Sequence, residues 1–164
     1  MAFPTWNVPR ITDLSAAALQ AAGIRGLLLD VDNTLTLHDS LTVPDGVAAW
    51  LQTAREAGLA LIIVSNARKE RVAPFAARLG LPFVWRAAKP LPFGFWRARR
   101  RLGLPRRACL VIGDQIFTDM WGALFGGFPA AQLDPIAPEE GHRFLLLKRR
   151  LERPVRARQT RRIP

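Results

Sequence analysis

The chain has 164 residues, 49% of them hydrophobic and spread along its length, which excludes a disordered polymer and leaves room for one core. Its 24 Lys and Arg against 13 Asp and Glu give +11, which favours nucleic acid, an anionic membrane surface or a phosphorylated substrate, although solvated arginines give the same total. The lone Cys109 excludes an internal disulfide and fits a reducing compartment and a small buried hydrophobe, and no run of about 18 apolar residues supports a spanning helix.

In chain order, residues 1–22 form a lead segment in which Arg10, Asp13 and Gln20 interrupt every apolar window, so a secretory leader is not expected. Buried strands are expected at "GIRGLLLD" (23–30), "LALIIVSN" (59–66), "PFVWR" (82–86), "RACLVIGD" (107–114) and "PAAQLDP" (129–135). Between them "VPDGVAAWLQTAREAG" and "ARKERVAPFAARLG" read as helices closing on glycine, with further helices in "PFGFWRARRRLG" and "TDMWGALFGG". Residues 142–164 hold nine Lys and Arg against one Glu and read as a basic helix and tail. Apolar strands alternating with helices predict an α/β fold, a doubly wound parallel sheet with helices on both faces. In such sheets ligands sit beyond the carboxyl ends of the strands, where Asp30, Ser65, Asn66 and Asp114 fall.

Asp30 and Asp32 stand one residue apart, so an extended chain would project both to one side. Adjacent carboxylates need a proton or a cation between them, and both solutions serve phosphoryl transfer. One carboxylate attacks phosphorus while the other handles the leaving-group proton. A hard cation such as Mg²⁺ would let anion approach anion, with Asp114 as a natural ligand and Asp119 close behind. Lys89, just past the third strand, can reach phosphoryl oxygens, and Ser65 and Asn66 can donate to them.

"DVDNTLT", "IIVSN", "AAKP" and "IGDQIFTD" resemble, in order and spacing, the four signature motifs of the haloacid dehalogenase (HAD) superfamily of phosphatases. The resemblance implies a Rossmann-like core over 23–141, with Asp30 as nucleophile and Asp32 as general acid/base whose carbonyl binds Mg²⁺. It further implies Ser65, with Asn66 beside it, and Lys89 on the phosphoryl group, and Asp114 as metal ligand. Asp119 would orient Lys89 or metal-bound water, and Thr34 reads as support for the turn. Only 34 residues separate Asp30 from Ser65 and 23 separate Ser65 from Lys89, which leaves no room for an inserted cap domain beyond a small flap, "LHDSLTVPDG".

More finely, the chain is similar to the subclass IIIA, YqeG-like branch, which resembles the mitochondrial phosphatidylglycerophosphate phosphatase. That likeness implies phosphatidylglycerophosphate as leading substrate. The lone cysteine and the missing leader lead to the expectation of a cytoplasmic protein, peripheral at the inner face of a membrane if its basic surfaces bind lipid. "PFGFWRARRRLGLPRR" fits either view of such a surface: Phe93, Phe95 and Trp96 anchor at headgroups, or they lie in the core. The alternatives left open are a phosphatase of nucleic-acid ends or small metabolites, and an RNA- or ribosome-binding HAD-like module without catalysis.

Overall fold

The computed structural model describes residues 5–36, 42–136 and 150–152. Residues 37–41 of the flap, the first half of "LHDSLTVPDG", and most of the basic segment 142–164 lie outside the described residues, and the flap's last two residues, Asp45 and Gly46, open the second helix.

Six strands form one parallel sheet: β1 (Trp6–Val8), β2 (Gly26–Leu29), β3 (Ala60–Val64), β4 (Phe83–Val84), β5 (Cys109–Gly113) and β6 (Ala130–Leu133). Their order is β1-β6-β5-β2-β3-β4. The chain winds outward from β2 in both directions, so the switch point of the sheet lies between β2 and β5. Five of these strands are the five expected from the sequence. The sixth, β1, pairs with β6 in register Trp6 to Ala131, and so joins part of the lead segment to the sheet. Three residues, "WNV", carry too little pattern to declare a strand; its identity comes from the β6 edge it completes.

The helices are α1 (Ala16–Ala21), α2 (Asp45–Glu56), α3 (Lys69–Leu79), α4 (Phe93–Leu102) and α5 (Trp121–Gly126), the last preceded by a π-helical turn, Ile116–Met120. Gly80 and Gly103 end α3 and α4 in the left-handed conformation, which glycine adopts without steric cost. Strands β2 and β5 are buried along their whole length because helices cover both faces. On one face Leu27, Leu29, Ile63 and Leu110 pack with Trp50, Leu51 and Phe75. On the other, Leu28, Ile62 and Val111 pack with Phe95, Met120 and Phe128.

The aromatics of α4 divide between the two sequence readings. Phe95 is a core residue, Trp96 packs at the core's rim, and Phe93 is exposed. Cys109 is buried, and burial pushes its thiol up to about 11, as suits a hydrophobic filler. Between β3 and β4 stands only α3, and between β2 and α2 the described residues hold only one turn, so no cap domain is inserted there.

Candidate active site

The sheet delivers the polar groups one residue beyond its strands. Asp30 N–H still donates to Ile112 O at 2.9 Å, and Ser65 N–H to Val84 O at 2.9 Å, so the ladder fixes both residues. The chain then turns sharply: the N–H groups of Thr34, Leu35 and Thr36 converge on the Val31 carbonyl at 3.3, 2.9 and 3.3 Å. Asn33 lies in the left-handed region with φ 57°, a conformation that surrounding contacts must hold. Asp30, Asp32, Ser65, Asn66, Ala67, Arg71, Lys89, Gln115 and Thr118 line one cleft of about 290 Å³.

Lys89 is the hub of its floor. Its Nζ donates to Asp30 Oδ1 and to Asp119 Oδ1, each at 2.6 Å, and all three side chains are buried. Burial works against the ammonium, but Asp119 and Asp30 outweigh it and hold Lys89 above its ordinary value. For Asp30, burial and then the Asp119 charge push the carboxyl up to about 8, against the pull of Lys89. Asp119 approaches so closely because residue 113 is glycine: a β-carbon there would lie 2.4 Å from Asp119 Cγ.

Asp30, Asp114 and Asp119 offer oxygens that all lie within 4.8 Å of one another. If all three ionise, one ammonium serves three buried carboxylates, and the excess of two negative charges fits a divalent cation held by oxygen ligands. Thr34 Oγ1 donates to Asp114 Oδ1 at 3.4 Å and so braces that carboxylate from the β2 turn.

Ser65 and Asn66 have different partners. Ser65 Oγ accepts from the Ala67 N–H at 3.1 Å, which leaves its own hydrogen to donate. Asn66 spends both ends of its amide on the Lys89 backbone: Oδ1 accepts from Lys89 N–H at 2.8 Å, and Nδ2 donates to Lys89 O at 3.0 Å. It thereby pins the loop that presents the lysine. Ala88, just before Lys89, has φ 59°, and Gly94 lets α4 press on Ala87, where a β-carbon would meet backbone oxygen at 2.6 Å.

The two aspartates of "DVD" bond to different cationic side chains, Asp30 to Lys89 and Asp32 to Arg71. Asp32 is gripped by Arg71 of α3, with Nη1 donating to Oδ2 at 3.0 Å and Nη2 to Oδ1 at 2.5 Å. Sequence reasoning missed Arg71, along with Gln115 and Thr118, which also line the cleft and whose side chains meet at 3.1 Å. The available signal was the position of "ARKER" just after a strand that ends in site residues. A larger groove of about 640 Å³, lined mainly by apolar groups such as Pro9, Ile11, Val47 and Leu133, shares no lining residue with this cleft; its Thr34 is the residue that bonds Asp114.

Residues 5–127 match the family model described as haloacid dehalogenase-like hydrolase. The chain is 33% identical over 138 residues to "Probable phosphatase YqeG" of Bacillus subtilis (strain 168), covering 84% of this chain and 80% of that protein. It is 28% identical over 161 residues to "Phosphatidylglycerophosphate phosphatase 1, chloroplastic" of Chlamydomonas reinhardtii; the match covers 93% of this chain but 60% of that relative. The fold is shared with a crystal structure of an uncharacterized protein from Listeria monocytogenes serotype 4b, at TM-score 0.56 and 15% identity, over 77% of this chain and 99% of the other. With the sheet, the strand-end aspartates and the matched span in agreement, the chain belongs to the haloacid dehalogenase-like hydrolases.

Proposed function

We propose that the chain is a Mg²⁺-dependent phosphomonoester hydrolase that works through an aspartyl phosphate on Asp30, with phosphatidylglycerophosphate as its leading substrate. The observation that carries this reading is Asp30 Oδ1, held 2.6 Å from a buried ammonium at the floor of a cleft. A carboxylate so placed is a fixed nucleophile, and the ammonium offsets the charge of an arriving phosphoryl group. Asp30, Asp114 and the Asp32 carbonyl would hold the Mg²⁺ ion, with Asp119 beside them. When bound, the ion supplies the positive charge that lets an anionic nucleophile approach an anionic phosphate.

In the first step an Asp30 oxygen bonds to phosphorus, the ester P–O bond breaks, and Asp32 gives the departing alkoxide its proton. In the second, Asp32 takes a proton from water as the water oxygen attacks phosphorus, releasing phosphate and restoring Asp30. Ser65 donates its hydroxyl hydrogen to a phosphoryl oxygen, and Lys89 holds a second. Asn66 acts through the Lys89 loop, as a positioning residue.

A lipid substrate gains support from the surface beside the cleft and from the activity named for the algal relative. Leu91, Phe93, Trp121, Leu124 and Phe125 are exposed, and Trp121 meets Phe117 edge-on, at 4.8 Å between ring centroids, and Phe125 at a tilt, at 6.3 Å. Between Glu70 and Asp114 the sequence has ten Lys and Arg and no acid. Aromatic groups beside such a basic stretch suit the headgroup region of an anionic bilayer. Among the described residues no helix is long and apolar enough to cross a membrane, so contact would be from one side.

The test is phosphate release, with Mg²⁺, from a panel containing phosphatidylglycerophosphate in vesicles, soluble sugar and nucleotide phosphates, and oligonucleotide ends. The reading expects release that stops with a chelator and is fastest from the vesicles. No release from any phosphomonoester would overturn it.

A further inference from the structure

We propose that Arg71 is a specificity residue that binds a second anionic group on the leaving-group side of the substrate, so that preferred substrates are phosphomonoesters carrying a neighbouring phosphodiester or carboxylate. The inference rests on the phosphatase reading above and names the chemistry of the alcohol that the reading leaves open.

Two cations line the cleft, and they differ in what they can do. Lys89 is 4% exposed at its side chain and already bonds two aspartates, so it serves the floor. Arg71 is 34% exposed at its side chain and reaches in from α3, so it stands at the solvent side of the same space. Its fork matches the paired oxygens of a phosphodiester or carboxylate, as it already matches those of Asp32.

The geometry also ties recognition to reaction. An acid/base carboxyl needs an oxygen turned to the leaving alkoxide, and both Asp32 oxygens carry an Arg71 N–H. The guanidinium is partly exposed, so an incoming oxyanion that offers the same two-oxygen fork can reach it and compete with Asp32. When Arg71 moves to that oxyanion, Asp32 is released at the moment a suitable substrate is seated. A phosphomonoester without a second anion leaves the grip in place and reacts slowly.

The experiment compares kcat/KM, with Mg²⁺ present, for three soluble compounds: glycerol 3-phosphate, 3-phosphoglycerate and deacylated phosphatidylglycerophosphate. The last two add a carboxylate and an internal phosphodiester, and none has acyl chains, so a membrane contributes nothing. Wild type is expected to favour at least one of these two over glycerol 3-phosphate on the order of 10- to 100-fold, the worth of a charge-assisted contact. Which of the two is favoured identifies the anion. Arg71→Gln should bring that ratio to about one, and Arg71→Lys, which keeps the charge but not the fork, should restore part of it. Because each ratio is taken within one variant, a partial loss of folded protein cancels.

A preference that survives Arg71→Gln, or no preference in wild type, overturns the proposal. If none of the three turns over, calorimetric binding of the same compounds to Asp30→Asn protein, with and without Arg71→Gln, decides the subsite independently of the chemistry. Weaker binding of the doubly anionic compound on loss of Arg71 supports the subsite, and equal binding refutes it.

Discussion

Lys89 holds two aspartates that reach it from different elements, Asp30 from the end of β2 and Asp119 from the π-helical turn before α5. The consequence is a pH dependence with a definite sign. An Asp30 carboxyl at about 8 in the folded chain, against 3.8 ordinarily, means that the folded state binds the extra proton between those values. Stability of the metal-free protein therefore declines as pH rises from about 4 to 8. Thermal melts under chelation should show that decline in wild type and a smaller one in Asp30→Asn, while Mg²⁺ should raise the melting temperature more at pH 8 than at pH 5. Asp30→Asn should also abolish phosphate release. A variant that melts as wild type does at every pH would remove the burial argument. At this scale the motifs were legible because strand ends expose their polar residues together: Asp30, Asp32, Ser65 and Lys89 line one cleft, and Asp30, Asp114 and Asp119 form one acidic group. Arg71 was not legible, since "ARKER" offers several cations on a polar helix face and spacing alone does not tell which one reaches across to Asp32.

The elements matter through what they let approach. β5 ends in Gly113, where any side chain would collide with Asp119 at 2.4 Å, so the strand and the π-helical turn can close on each other only with glycine there. Gly113→Ala should push Asp119 off Lys89, cost about 1–3 kcal/mol of stability, and lower kcat by more than about tenfold. Denaturant melts and initial rates check both, and a variant with wild-type rates would show that the Asp119 contact is not needed. The five strands 23–30, 59–66, 82–86, 107–114 and 129–135 were readable from apolar runs bounded by Gly, Pro and Asp, each somewhat longer in sequence than the paired segment. β1 was not, because a three-residue edge strand is defined by its partner, and neither was α1, whose six residues are mostly alanine. The reach of Asn66 to Lys89 lay equally out of sight, for it depends on how α3 returns the chain to the sheet.

The molecule combines a buried acidic cluster with a strongly basic sequence. Buried aspartates gather at the switch point of the sheet, while the formal charge of +11 is carried by Lys and Arg, many of them in the acid-free stretch between Glu70 and Asp114. Such a charge distribution draws anionic surfaces toward the protein without settling on its own what chemistry follows. The exposed Trp121 and Phe125 give the surface account a direct check: the double substitution Trp121→Ser, Phe125→Ser should weaken flotation with anionic vesicles and phosphate release from them. Turnover of soluble glycerol 3-phosphate should persist, since neither side chain lines the cleft. Equal flotation before and after would place the bilayer contact elsewhere.

The claim on which the rest depends is that Asp30 is the nucleophile. Protein turning over a phosphomonoester with Mg²⁺ can be quenched in hydroxylamine, which converts an acyl phosphate to a hydroxamate, and the peptide spanning residues 26–35 can be read by mass spectrometry. A hydroxamate on Asp30, absent without substrate, is the expected result. Turnover that leaves Asp30 unmodified, or a hydroxamate on another residue in its place, would contradict it.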